Sequence, residues 1–159
     1  METTAPKWVQ ALVGIILIVI LQVGPLAIAS KYTSDLRASA QAMKNAPPPV
    51  VFAIVWPILY LCIAIALFFL IFYARKNTAI LQWTAFAFLV LQLGVNWAWT
   101  PVYAEGKTHP AYKKAADGML FIMLAFTIAA MILSAQTQII SAVVLVPYIA
   151  WLLYASTLQ

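Results

Sequence analysis

Five long apolar stretches, separated by polar connections, make up the pattern of this chain. Trp8 to Ala29 is the first, interrupted in texture by Gln22, Gly24 and Pro25. Pro49 to Tyr73 is the second and ends at Arg75, Lys76 and Asn77. Ala79 to Thr100 is the third, closed by Pro101. Asp117 to Ser134 and Gln138 to Leu158 are the fourth and fifth, with Gln136 and Thr137 at the turn between them. The spans expected are thus 8–29, 49–73, 79–100, 117–134 and 138–158. At ~20 residues each they are long enough to cross a hydrocarbon core of ~30 Å as helices. A helix also satisfies its own backbone groups where lipid offers none. The pattern predicts an all-α integral membrane protein, a bundle of five transmembrane helices forming a single domain over residues 1–159. Five spans leave no room for a soluble domain, and no internal repeat or low-complexity segment interrupts them.

The connections refine this picture. Ala27, Ile28 and Ala29 have the small-residue texture of a signal-peptidase site. The apolar stretch before them is longer than the usual ~7–15 residues and has only Lys7 in front, so a retained helix is expected. Ser30 to Pro48 is the longest connection, and its Ala-rich middle, Ser34 to Met43, reads as a short interfacial helix. Pro47, Pro48 and Pro49 cannot continue a helix, because each lacks an N–H and restricts its predecessor. Pro49 can open the next one. Val102 to Ala116 is a polar connection holding Glu105, Lys107, His109, Pro110, Lys113 and Lys114.

Composition agrees with the pattern. The chain is 65% hydrophobic and 8% charged, against about 25% charged in ordinary soluble domains. The net charge of +5 comes from nine Lys and Arg scattered through the connections. No basic stripe is present, so nucleic acid is not an expected partner. Six of the nine, Lys31, Arg37, Lys44, Lys107, Lys113 and Lys114, fall in the first and third connections. The positive-inside tendency therefore puts that side and the carboxyl end in the cytosol, with the amino terminus non-cytosolic. The single Cys62 lies in an apolar span and reads as a small packed hydrophobe.

Three helical faces carry candidate chemistry. Phe52, Trp56 and Tyr60 recur at i, i+4 and i+8 and share one face of the second span. Such a stripe is core packing, an interfacial belt, or one wall of an aromatic pocket. Gln92, Asn96 and Trp99 share a face of the third span. Carboxamides at membrane depth need partners, so this face should look into the bundle. There it serves as interhelical glue, as a group that orients a ligand, or as both. Tyr148, Trp151 and Ala155 share a face of the fifth span, where Pro147 should kink the helix or open its hydrogen-bond ladder.

The stretches PPPVVFAIVWPILYL, QLGVNWAWTPVY and VPYIAWLLYASTLQ resemble the TspO/MBR family, the translocator proteins or tryptophan-rich sensory proteins. The matching residues include Pro47, Pro48, Val51, Phe52, Trp56, Leu59, Tyr60, Gln92, Leu93, Asn96, Trp99, Pro147, Tyr148 and Trp151. The resemblance implies a five-helix bundle, commonly a homodimer, in a bacterial cell membrane or mitochondrial outer membrane. It implies a pocket under the first connection for porphyrins, which are tetrapyrroles, and other flat apolar ligands. Phe52, Trp56, Asn96, Trp99, Tyr148, Trp151 and Ala155 are its residues by position, and Tyr60 and Gln92 join them from the shared faces. No resident cofactor is implied; a haem-type tetrapyrrole enters as ligand.

The family's usual tryptophans before the second span are replaced here by Asn45 and Val50, so a thinner aromatic lid is expected. No Lys or Arg follows Tyr154, so the cholesterol-recognition pattern proposed for that segment is missing. A weak match stands instead at Leu70, Tyr73 and Arg75.

No hydrolytic or metal constellation is visible. His109 reads as a solvated loop residue, Glu105 as a turn residue, and Asp117 as a favourable charge at a helix start. Three functions fit: a membrane receptor for porphyrins involved in their transport or regulation; light- and oxygen-dependent porphyrin degradation with Trp56 and Trp151 as oxidisable indoles; and a lipid- or sterol-binding structural protein.

Overall fold

The structure, a computed structural model, describes residues 5–42, 47–106 and 108–158. Of the described residues 87% are helical, and none lies in a strand. Its helices are α1 (Lys7–Ser30), α2 (Thr33–Ala42), α3 (Pro49–Tyr73), α4 (Ala79–Glu105), α5 (Pro110–Thr137), α6 (Ile139–Val143) and α7 (Val146–Ser156). Five spans are long and apolar enough to cross a membrane, α6 and α7 together forming one of 18 residues, Ile139–Ser156. The expected all-α fold of five transmembrane helices is the fold observed. The Ala-rich first connection forms α2 over Thr33–Ala42; Met43 lies outside the described residues. Ala27 to Ala29 are helical, and α1 runs through Pro25.

Three boundaries differ from those expected. Helix α4 continues through Pro101 to Glu105. A proline deletes one i→i−4 bond, here to the Trp97 carbonyl, while Ala104 beyond it is buried and keeps the last turn docked. Helix α5 starts at Pro110, two turns before Asp117. A proline costs nothing in the first turn, where its N–H would be unpaired anyway. Asp117 is therefore inside the helix, and a first-turn dipole role does not apply to it. The fifth span is broken in two, with Val144 and Leu145 between α6 and α7. The Leu145 N–H turns back to the Ala142 carbonyl at 3.2 Å, three residues away, and Pro147 has no N–H for the carbonyl of Val143.

Helix α3 lies at the centre and α1 at the edge, with 39% and 11% of their apolar windows buried. The longest packed seam joins α4 to α5, whereas α7 meets α3 only sparsely. Ile63, Ala66 and Leu70 of α3, Ala85 and Leu89 of α4, Met123 and Ala130 of α5, Leu145 at the break before α7, and Tyr148 of α7 form a fully buried core. The end of α3 is capped from its neighbours. Its last carbonyls have no intrahelical donor, and Gln82 Nε2 donates to the Leu70 carbonyl at 2.7 Å and Gln138 Nε2 to that of Tyr73 at 2.8 Å. The Ser141 hydroxyl donates to the Ala66 carbonyl at 2.9 Å, fixing α6 against α3.

Candidate ligand-binding site

The faces picked out from the sequence meet at one level of the bundle. Asn96 of α4 is 1% exposed and uses both ends of its carboxamide. The Tyr60 hydroxyl of α3 donates to Asn96 Oδ1, and Asn96 Nδ2 donates to the Tyr148 hydroxyl of α7 at 3.1 Å. Three helices are thereby joined through one side chain. Tyr60 and Tyr148 are both buried, so these bonds form away from competing water and hold the helices in register.

The aromatic residues flank this network. Trp56 stacks on Tyr60 with ring centroids 5.7 Å apart. Phe52, one turn further out, meets the Trp151 ring edge-on at 5.6 Å and 80°. Trp99 is drawn the other way: it stacks on Tyr103 at 4.5 Å, and its Nε1 donates to the Ala116 carbonyl of α5 at 3.2 Å. Ala155 packs, partly buried, against the core. The structure thus joins Trp56, Tyr60, Asn96 and Tyr148 in one connected group and Phe52 with Trp151 in a second. It sets Trp99 against α5.

Gln92 stands apart. It lies one turn along α4 from Asn96 and is fully buried, yet neither Nε2 nor Oε1 has a hydrogen-bond partner. Trp151 Nε1 is also buried and unpartnered. An unmade bond at a buried amide is costly, about 1–3 kcal/mol, so the bundle holds more hydrogen-bonding capacity than it uses.

A groove of about 410 Å³ runs between α3 and α7, lined by Val55, Ile58, Leu59, Pro147, Ala150, Trp151 and Tyr154. Of the site residues expected from the sequence, only Trp151 lines it. The groove's other lining residues are apolar or aromatic members of apolar helices, and no contrast in the sequence marks them; Pro147 alone carries a local signal. Val50, in the first turn of α3, is 60% exposed, and Asn45, in the first connection, lies outside the described residues. His109 is exposed at the start of α5, its ring 5.8 Å from that of Tyr112. No group of three His, Cys, Asp or Glu side chains suited to a metal occurs among the described residues.

Five apolar helices enclosing a small polar network, with an apolar groove between α3 and α7, define a multi-pass integral membrane protein. The sequence pattern of the TspO/MBR family matches residues 11–159, nearly the whole chain. The chain belongs to that family, and membership makes it a membrane protein of the tetrapyrrole- or sterol-binding type. No curated protein matches the chain.

Proposed function

We propose that this protein is a membrane receptor for porphyrins and similar flat apolar molecules, acting in their transport or regulation. The observation that carries this reading is Gln92, a fully buried carboxamide with no partner, one turn from Asn96. Purely structural carboxamides at membrane depth find partners, as Asn96 does. An unused one suits a ligand that is flat and apolar with hydrogen-bonding groups at its edge, as the propionates of protoporphyrin provide. Phe52, Trp56, Tyr60, Tyr148, Trp151 and Ala155 supply the apolar surroundings, and Trp99, held against α5, stands apart from them. The unit is a homodimer in this reading. Ala87, Gly94 and Ala98 form an exposed stripe on α4, with open space around Gly94, and small residues let helices in membranes approach closely.

Titration of the purified protein with protoporphyrin in detergent, in darkness and under illumination, tests the function. A saturable shift of the Soret band in darkness is the expected result. Loss of the band only under illumination assigns degradation instead, and no change in either condition leaves a lipid-binding or structural protein.

A further inference from the structure

We infer that the ligand enters sideways from the bilayer, through the seam between α3 and α7, with the Phe52–Trp151 contact as its latch. The inference rests on the binding function proposed above. Molecules that are flat and apolar dissolve in the hydrocarbon phase, so a door facing lipid spares them a passage through water. The groove has such a mouth. Ile58 is 52% and Tyr154 41% exposed on its rim, while Leu59 at its floor is 2% exposed and adjoins Tyr60 of the polar network. At about 410 Å³ it lies within the ~300–1,000 Å³ of small-molecule sites.

Both walls are built to move. The α3–α7 seam is sparsely packed, unlike the long α4–α5 seam. Pro57 interrupts the ladder of α3, and α7 begins after the break at Val144 and Leu145 with Pro147 in its first turn. Helices bend at such positions because one intrahelical bond is already missing. Helix α7 can therefore swing about its amino end without breaking further backbone bonds. Trp151 belongs both to the groove and to the ring pair with Phe52. Outward movement of α7 separates that pair and joins the groove to the interior. It also frees the Trp151 N–H, now buried and unpartnered, for an acceptor on the incoming molecule.

An order-of-addition experiment tests the door. In a Cys62→Ala background, Val55→Cys and Ala150→Cys are bridged across the seam with a flexible bifunctional thiol reagent. Protoporphyrin added after bridging should associate at least about tenfold more slowly than with unbridged protein, as expected where binding requires an opening step. Protoporphyrin bound before bridging should be retained on dilution. With a reducible reagent, removal of the bridge by thiol should restore the rate of the unbridged double variant. Ile58→Trp, at an exposed position, gives a second test. It fills the groove from the lipid side and should slow association. Uptake at the parent rate by both the bridged protein and Ile58→Trp overturns the inference and leaves the groove to lipid acyl chains. Failure of the parent to bind protoporphyrin overturns the receptor function first, and the door with it.

Discussion

Replacing Asn96 by leucine is the sharpest perturbation of the bundle. The variant keeps the volume but removes two interhelical hydrogen bonds at once, from the Tyr60 hydroxyl and to that of Tyr148. Interhelical hydrogen bonds in membranes average ~0.6 kcal/mol and reach ~1.7. Two of them, with the Tyr60 hydroxyl left without its acceptor, put the loss at about 1–3 kcal/mol. Tyr60→Phe and Tyr148→Phe remove one bond each and should each cost less than Asn96→Leu. Reversible unfolding in mixed detergent measures all three. A double-mutant cycle of Tyr60→Phe with Asn96→Leu should return a coupling on the order of 0.6 kcal/mol or more. A variant that unfolds like the parent, with zero coupling, would refute the network as a source of interhelical stability. Protoporphyrin binding separates the two uses of the residue. A fall in affinity larger than the unfolded fraction explains assigns Asn96 to the ligand as well.

Gln92→Leu should do the opposite to stability: it removes an unpaired buried amide costing about 1–3 kcal/mol, so the ligand-free protein should melt higher while porphyrin affinity falls. Gly24→Ala places a Cβ 2.8 Å from the Trp97 ring, and the overpacking should cost about 1–3 kcal/mol in the same unfolding assay. Trp56→Phe and Trp151→Phe each lose indole surface worth ~0.5–1.5 kcal/mol, and dark titration should show binding about three- to tenfold weaker. With Cys62 replaced by alanine, Thr108→Cys should resist an impermeant thiol reagent in intact cells, and ready labelling would reverse the orientation read from the basic residues.

What the sequence determined by itself is what the bilayer demands locally. Each span must satisfy its own backbone, so the apolar runs had to be helices, and their count and approximate places are legible residue by residue. The opening of α3 at Pro49 is equally local, and so is the opened ladder near Pro147, because a missing N–H needs no tertiary partner to take effect. Pro101 shows the limit: whether a helix survives its proline depends on what lies beyond, and the burial of Ala104 belongs to the packed bundle. The same holds for the start of α5, where the polar turns before Asp117 are helical although hydropathy ends the span there. Asn96 and Gln92 share a face and a chemistry in the sequence. Only the tertiary structure decides that Asn96 is paired on both sides and Gln92 on neither. The partners of Asn96 come from α3 and α7, distant in the chain, and a hydrogen bond requires a position fixed to a few tenths of an ångström. The groove between α3 and α7 was hidden for a related reason. Val55, Ile58 and Ala150 differ in no local property from the lipid-facing residues around them, and the space they line exists only because two helices fail to close upon each other.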